Sequence, residues 1–312
     1  FPATLAKVSG HRVAAGKDFD SKGNRTSNTV RLLGENDATT LRETLMRRLP
    51  WTVTSVEEKP FTRRPSPPFT TSTLQQEANR KLGFSSERTM QIAQRLFQGM
   101  DLGGGDLEGL ISYHRTDSTT LSSKALSEAA DAVKQLYGAE YHNQRQYQTK
   151  VRNAQEAHEA IRPTHFHRTP QSLEKILESD ELKIYELIWK RAVASQMADA
   201  KMLRTTVEIT GETPDGGPVT FTASGKAIEF AGYLRAYVEG SDDPSAELAE
   251  QDTVLPKLSV GDQVWSPDKL DEELILLGLE AKGHETSPPA RYTEASLVKR
   301  LEEEGIGGPA TY

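Results

Sequence analysis

The sequence predicts an α+β protein with more than one domain. Apolar and polar residues alternate near the start, helical periodicity replaces this alternation across the middle, and the alternation returns after Met202. At 312 residues the chain is long enough to form two or three buried cores. The simplest interpretation is a β-rich domain formed by both flanks, with a helical segment inserted between about Phe69 and Ala200.

The two flanks carry the strand signals. Alternating runs are RVAAG and WTVTSVEE in the first flank, and TTVEIT, PVTFTA and KAIEFAGYLRAYVEG in the second. One helix is predicted within the first flank, from about Asp37 to Arg48, because Leu41, Leu45 and Leu49 are spaced to lie on one face. The segment KPFTRRPSPPF then connects the flank to the helices, and its prolines make it either a hinge or a static linker.

The middle of the chain has the signals of helices. Ser72 and Gln75 fit a capping box at the start of the first helix, and Gly83 is a typical helix stop. Three apolar stripes predict further helices that pack through one face. The stripes are Met90, Ala93, Leu96 and Phe97; Leu126, Ala129, Val133 and Leu136; and Leu182, Tyr185, Trp189 and Ala192. After an acidic stretch, a last helix is predicted from Glu294 to Glu304, with Thr293 as its cap.

Composition limits the possible partners. The chain has 38 Lys plus Arg against 45 Asp plus Glu, a net charge of −7, whereas nucleic-acid-binding proteins are usually basic. Any contact with DNA must therefore come from a local groove. The absence of cysteine excludes disulfides and thiolate zinc sites. No signal peptide or membrane span is visible, so we expect a cytoplasmic protein without a membrane partner.

The run GLISYHRTDSTTLS, residues 109 to 122, combines a nucleophile with a cation. A tyrosine hydroxyl has an ordinary pKa of about 10 and needs activation. The guanidinium of Arg115 is suited to stabilise the charge that develops on phosphoryl oxygens when Tyr113 attacks a phosphodiester. On an extended segment, residues 113, 115 and 117 share a face. Asp117 then either orients Arg115 or caps a helix after Ser118.

A second run, NAQEAHEAIRPT at residues 153 to 164, places His158 and Arg162 four positions apart. On a helix these two side chains lie on one face, and Pro163 is expected to end that turn. Glu156 and Glu159 either orient the two cations or are simply solvated. The pair could contact a phosphodiester near the nucleophile, and the alternative for His158 is a structural histidine with satisfied hydrogen bonds.

Both runs, together with PFTTSTLQQEANRKLGFSSERTMQIAQRLF and PPARYTEASLVKRLEEEGIG, resemble the type IA DNA topoisomerases, most closely the bacterial ones. The resemblance covers almost the whole chain. It implies a β-rich arch domain at 1–68 and 201–265, a helical domain with the active-site tyrosine at 69–200, and the beginning of a helical single-strand-binding domain at 266–312. In this family the helical domain swings away to open a gate.

The resemblance also implies an activity and its residues. Tyr113 would form a transient 5′-phosphotyrosine link within a single-stranded segment of negatively supercoiled DNA, without ATP, and the protein would be a monomer at the nucleoid. The catalytic residues would be Tyr113 and Arg115. The DNA contacts implied by matching positions, or expected from the two runs, are His158, Arg162, Asp117, Arg291 and Gln94.

The sequence departs from the family pattern in two places. The family's N-terminal Toprim domain, which holds Mg²⁺ through a DxDxE cluster, is not in this chain, and Asp18, Asp20, Asp106 and Glu108 do not reproduce that cluster. We therefore expect a fragment that has no metal site and is inactive alone. In GIGGPATY, Gly308 occupies a position where the family commonly has arginine. The alternatives are a non-catalytic single-stranded DNA-binding module and a protein-binding scaffold.

Overall fold

The computed structural model describes residues 1–148, 159–213, 215–240, 255–269, 271–285, 287–288 and 290–311. They form two compact units. The sheet unit contains residues 1–61 and 202–228 and the described part of 252–290. The helical unit contains 62–201 and 291–312, with the described part of 229–251. The mixed α+β class that the sequence predicts is confirmed.

The sheet unit is built on one six-stranded sheet. In chain order the strands of the protein are β1 (Thr4–Val8), β2 (His11–Arg12), β3 (Trp51–Arg63), β4 (Met100–Asp101), β5 (Leu107–Glu108), β6 (Ala200–Glu212), β7 (Pro218–Phe230) and β8 (Gln263–Val264). The large sheet has the order β2-β1-β7-β6-β3-β8. Strand β1 pairs antiparallel with β2 and β7, and β3 pairs antiparallel with β8. Strand signals of both flanks therefore meet in one sheet, but the run KAIEFAGYLRAYVEG is a strand only as far as Phe230. Gly232–Arg235 form a short 3-10 helix instead.

The core of this unit lies around Trp51. Its ring stacks on Phe221 with centroids 5.0 Å apart, and its indole N–H donates to the carbonyl of Leu45 at 3.2 Å. Leu45 lies on helix α1 (Glu35–Met46) and is buried. The predicted helix at Asp37–Arg48 is confirmed, although it begins and ends two residues earlier.

The helical unit contains the other α-helices of the described residues. They are α2 (Thr71–Leu82), α3 (Ser86–Gln98), α4 (Ser123–Leu136), α5 (Pro170–Leu173), α6 (Ser179–Ser195) and α7 (Glu294–Glu303). Tyr185, Ile188 and Trp189 of α6 are buried in the core. The three predicted stripes contribute to this core, except that Leu136 is 45% exposed, Phe97 is 37% exposed, and Met90 is half-buried and lies outside the core. No helix in the described part of the chain is long and apolar enough to cross a membrane.

The start of α2 differs from the prediction. Thr70, not Ser72, is the N-cap, and its hydroxyl accepts a hydrogen bond from the Thr73 amide. Thr70 has extended backbone, as an N-cap requires, whereas Ser72 is already inside the helix. The predicted stop at Gly83 is confirmed, because this residue ends α2 with the left-handed φ of +67°.

Helix α7 packs against α2 within the helical unit. Ala295 and Val298 are buried, the Ser72 hydroxyl donates to Glu302 at 2.6 Å, and the Ser86 amide donates to Glu294 at 2.6 Å. Thr293 caps α7 as predicted. Residues 266–312 form no compact unit of their own among the described residues, since 266–290 group with the sheet and 291–312 with the helices. The assignment of 266–312 to a further domain stays a prediction.

Two glycines of the helical unit give a matched test of packing. Both have positive φ, but a Cβ at Gly83 would contact nothing within 4 Å, whereas a Cβ at Gly232 would lie 2.5 Å from the carbonyl oxygens of Ala198 and Asp199. We expect Gly83→Ala to lower the free energy of unfolding by about 1–2 kcal/mol, the left-handed backbone cost alone. Gly232→Ala should lower it considerably more. Urea unfolding of both variants checks this, and equal losses would contradict the described backbone contact.

Candidate active site

The backbone around Tyr113 is fixed by the first residue of α2. The hydroxyl of Thr71 donates to the carbonyl of His114 at 2.8 Å and accepts from the amide of Thr116 at 2.9 Å. The Thr71 amide donates to the carbonyl of Thr116 at 2.9 Å. Thr71 is fully buried, so these bonds are shielded from water. One threonine thus holds both peptide groups that flank Arg115.

The other side of the segment is held by residues 160–164. The Ser112 amide donates to the carbonyl of Arg162 at 2.9 Å, and its hydroxyl donates to the carbonyl of Ala160 at 2.6 Å. The hydroxyl of Ser112 also accepts from the Arg162 amide at 2.9 Å. A β-bridge joins Ile111 to Pro163. The tyrosine segment therefore lies between α2 and the end of the second sequence run.

Side chains along this segment alternate between solvent and core. Tyr113 is 42% exposed and Arg115 is exposed, whereas His114 and Thr116 are buried. Asp117 is half-buried and Ser118 buried. The segment forms no regular strand, yet it follows the two-residue period expected of extended backbone. The predicted sharing of one face by residues 113, 115 and 117 agrees with this pattern.

Two rings contact the phenol of Tyr113. Its ring meets Phe97 edge-on at a centroid distance of 5.3 Å and His114 at 5.5 Å, and Phe97 lies 5.7 Å from His114. Edge-to-face contacts of this kind favour defined ring orientations. Phe97 ends the α3 stripe, and its partial exposure follows from this position beside Tyr113. The aromatic cluster restricts where the hydroxyl of Tyr113 can point.

The imidazole of His114 is buried and makes no hydrogen bond in the described part of the chain. Neither of its ring nitrogens has a partner among the described residues. Burial, with a smaller contribution from the charge of Arg115, lowers the pKa of His114 to about 4. The imidazole beside the tyrosine is therefore neutral at physiological pH.

Arg115 faces an open groove along α3. The groove has a volume of about 810 Å³ and is lined by Ser86, Glu87, Arg88, Met90, Gln91, Ile92, Gln94, Arg95, Arg115 and Asp180. Arg115 makes no hydrogen bond or ion pair with any residue in the described ranges. Its guanidinium is therefore available to a ligand at the end of the groove nearest Tyr113.

Neither expected role of Asp117 is seen. No ion pair joins Asp117 to Arg115 among the residues that the structure describes, and the cap of α4 is Ser122, whose hydroxyl accepts from the Ala125 amide. The helix begins four residues later than the capping alternative requires. Asp117 stays a predicted DNA contact on the exposed side of the segment.

Arg162 is placed differently from the prediction. Arg162 lies in extended backbone between two residues that form β-bridges, Ile161 with Phe69 and Pro163 with Ile111. It is not on a helix, because these bridges impose extended backbone and the proline disfavours a helical conformation at the residue before it. Its guanidinium donates to Glu159 at 2.5 and 3.1 Å and to the carbonyl of Pro163 at 2.9 Å. Glu159 therefore orients this cation. His158 and Glu156 lie outside the described residues.

The two remaining predicted contacts lie apart. Gln94 is half-buried and lines the same groove as Arg115. Arg291 is exposed just before α7 and is not among the groove residues. The structure thus groups Gln94 with Arg115, while Arg291 stays a separate prediction.

The carboxylates closest to a DxDxE pattern are engaged locally. Asp18 is 6% exposed, and its charge is compensated because Arg12 binds both of its oxygens and the Ala15 amide donates to it at 2.8 Å. This hydrogen bonding from Arg12 holds the pKa of Asp18 at about 2. Asp20 accepts from two amides of its own turn, and Glu108 accepts from Arg168 at 2.6 Å. These residues do not fit a Mg²⁺ site, and no group of three or more ligands was found in the described ranges.

Sequence reasoning missed Thr71, His114, Arg88 and Arg95. Thr71 belongs to one of the runs that carry the resemblance, but its bonds join positions 45 residues apart and have no local signal. His114 was assigned only to the opposite face of the segment. Arg88 and Arg95 could have been found, because they lie seven residues apart on a strongly amphipathic helix that also carries Gln91.

Comparison with known proteins identifies the class. A family model described as DNA topoisomerase matches residues 7–312, and the chain belongs to this family. It is 51% identical to "DNA topoisomerase 1" of Mycolicibacterium smegmatis over all of this chain and 32% of that protein. It is also 51% identical to "DNA topoisomerase 1" of Streptomyces coelicolor over 99% of this chain and 31% of that protein. The chain thus spans about a third of the length of these relatives.

A solved structure agrees. The full-length topoisomerase I of Thermotoga maritima superposes with a TM-score of 0.72 at 34% identity, covering 92% of this chain and 42% of that one. The resemblance seen in the sequence is therefore confirmed as membership of the bacterial type IA topoisomerase I family, of which this chain represents a part.

The buried His114 predicts a dependence of stability on pH. Its folded pKa of about 4 lies below the ordinary value, so the unfolded chain takes up the proton first as the pH falls. Stability should be complete above about pH 6.5 and decrease towards pH 4, by at most about 3 kcal/mol from this group. We expect His114→Met to remove this part of the decrease and to be neutral or stabilising at pH 7, because it also removes two unpaired buried nitrogens.

Denaturant unfolding at several pH values tests this expectation. His11→Met, which removes an exposed imidazole in the sheet unit, serves as the control and should leave the pH profile unchanged. A profile of His114→Met that is parallel to the wild-type profile would show that burial does not lower the pKa of His114 in the folded state.

Proposed function

We propose that this chain is the tyrosine-bearing gate portion of a bacterial DNA topoisomerase I. The whole protein relaxes negatively supercoiled DNA by cleaving one strand in a single-stranded segment, passing the other strand and resealing the break. The observation that carries this proposal is the Tyr113 segment, on which an exposed phenol and an exposed guanidinium share a face while the backbone is held by buried hydrogen bonds.

The proposed reaction conserves the phosphodiester. The Tyr113 oxygen attacks phosphorus, its proton leaves, and the bond from phosphorus to the 3′ oxygen of the preceding nucleotide breaks as that oxygen takes a proton. The product is a 5′-phosphotyrosine ester and a free 3′ hydroxyl. Resealing is the reverse reaction. Because one phosphate ester replaces another, no ATP is required.

Arg115 is the proposed catalytic cation. A guanidinium can donate two hydrogen bonds to phosphoryl oxygens and thereby stabilises the charge that builds up during attack. Its exposure and lack of a partner among the described side chains support this role. Glu159 holds Arg162 beside the same segment, so we assign Arg162 to positioning the DNA strand. Asp117, Gln94, His158 and Arg291 are proposed as further DNA contacts.

The neutral His114 and Phe97 have a supporting role. Their rings restrict the phenol of Tyr113 and need no charge to do so. Since a neutral imidazole adds no positive charge, the local field at the phosphate comes from the arginines. The pKa of His114, lowered by burial, is consistent with this division of roles.

The domain arrangement and cofactor are part of the same proposal. Residues 1–68 and 201–265 would form the arch, 69–200 the moving helical domain, and 266–312 the start of a single-strand-binding domain. Mg²⁺ would be held by a Toprim domain outside these 312 residues, so the chain alone would not cleave DNA. We place the protein in the cytoplasm at the nucleoid, as a monomer without a membrane partner.

Formation of a covalent adduct tests the proposal. The full-length protein, with whatever its gene encodes on either side of this chain, is incubated with Mg²⁺ and a 3′-labelled single-stranded oligonucleotide, then denatured. We expect labelled protein from the wild type and none from Tyr113→Phe, which keeps the ring contacts with Phe97 and His114. Arg115→Ala should slow adduct formation by about 10²-fold or more, the usual effect of losing a donor to a developing oxyanion.

Two outcomes would oppose the assignment. An equal adduct yield from Tyr113→Phe would place the nucleophile elsewhere. A second outcome is that Tyr113→Phe still binds the oligonucleotide while the wild type neither forms an adduct nor relaxes DNA. This would support the alternative of a non-catalytic DNA-binding module. Arg300→Gln, an exposed change on α7, is the control and should cleave normally.

A further inference from the structure

The α3 groove carries features that the cleavage chemistry does not use. Arg88, Gln91 and Arg95 lie at positions i, i+3 and i+7 of α3 and therefore project from one face of the helix. Only Arg115 of the groove is needed at the reacting phosphate. The other two arginines extend the cationic lining along α3. Arg88 and Arg95 are seven residues apart, which corresponds to about 10 Å along the helix axis.

The arginines in this groove can exchange their present partners. Arg88 is 55% exposed and pairs with Asp180, and Arg95 is 53% exposed and lies 3.4 Å from Glu181. The Arg88–Asp180 pair is open to solvent and adds little to stability, so Arg88 can exchange its carboxylate for a phosphate at little cost. Glu181 is buried, but it also accepts from the Glu178 amide at 3.1 Å and so keeps a hydrogen bond when Arg95 turns to a phosphate. Arg115 has no such partner in the described part of the chain and Gln94 offers an amide. The groove is thus lined by one cation without a partner among the described residues and by two that are paired with carboxylates.

An aromatic side chain lies beside the tyrosine, on the helix that lines the groove. Phe97 is 37% exposed, meets the ring of Tyr113 and follows Gln94 by one turn of α3. Partly exposed aromatic rings beside cationic grooves are where single-stranded nucleic acids stack their bases. For a chain with a net charge of −7, such a groove is a local exception to the overall repulsion of a polyanion.

We propose that the α3 groove holds the strand that remains attached to Tyr113 after cleavage, with its first base on Phe97 and its next phosphates on Arg115, Arg95 and Arg88. The proposal rests on the proposed function, which places the 5′ phosphate on Tyr113. The attached strand then runs from Tyr113 in the 3′ direction, along the groove. Held there, the attached strand moves with the helical unit when the gate opens and returns in the same orientation for resealing.

A product mimic tests this directly. Fluorescence anisotropy measures binding of 5′-phosphorylated oligothymidylates of two to eight nucleotides, labelled at the 3′ end, to the 312-residue chain at low salt. The affinity of the wild type should increase with length and level off by about five nucleotides. Arg88→Gln with Arg95→Gln should weaken the eight-nucleotide probe about tenfold, leave the two-nucleotide probe unchanged, and lower the salt slope by about 0.7 per lost phosphate contact.

Matched variants separate the groove from general charge effects. Lys175→Gln with Lys134→Gln removes two exposed cations outside the groove and should change neither affinity nor slope. Phe97→Leu should weaken probes of every length by about fivefold or more, because it removes the stacking surface for the first base. All variants alter exposed side chains, and thermal unfolding verifies that they are folded.

The possible failures are distinguishable. Three results would each overturn the groove proposal. They are an affinity that does not depend on oligonucleotide length, an equal loss of affinity in the arginine and lysine double variants, and no measurable binding by the wild type at low salt. The proposal would also be overturned if affinity increased mainly with nucleotides added on the 5′ side of an unphosphorylated probe. That result would assign the groove to the strand that ends in the free 3′ hydroxyl. Failure of the proposed function is read separately, from the absence of a Tyr113 adduct in the full-length protein.

Discussion

The hydroxyl of Thr71 is the interaction on which the candidate site depends. It bonds the carbonyl of His114 and the amide of Thr116, the two backbone groups around Arg115. With these groups satisfied in the core, the segment needs no strand partner on that side, and alternate side chains can point outward. The exposed position of Tyr113 follows from this arrangement, since its neighbours His114 and Thr116 are drawn inward.

The range over which an interaction acts determined whether it could be predicted from the sequence. Local signals were reliable: the helix near Asp37–Arg48, the stop at Gly83 and the cap at Thr293 were all found, because propensity and capping act over a few residues. The two-residue period around Tyr113 was also predictable. The cap of α2 was placed two residues late because Thr70 and Ser72 offer equivalent hydroxyls, and only their backbone conformations distinguish them.

Interactions between distant residues escaped prediction. Arg162 was expected on a helical face, but pairing of Ile161 with Phe69 imposes extended backbone there, and that pairing has no signature within the run itself. The groove is a similar case. The negative net charge of the chain indicated that any DNA contact must be local. Such a surface exists because the fold brings residues 88–95 of α3 together with Arg115, and these residues are distant in the sequence.

Hydrogen–deuterium exchange of the amides at Ser112 and Thr116 most directly tests the claim that Tyr113 projects from a rigid backbone. In the wild type, both amides should be protected from exchange to a degree comparable to the buried amides of α6. Thr71→Val, which keeps the shape but loses the hydroxyl, should expose the Thr116 amide while Thr71→Ser preserves its protection. Rapid exchange of Thr116 in the wild type, or identical exchange in the valine and serine variants, would contradict this claim.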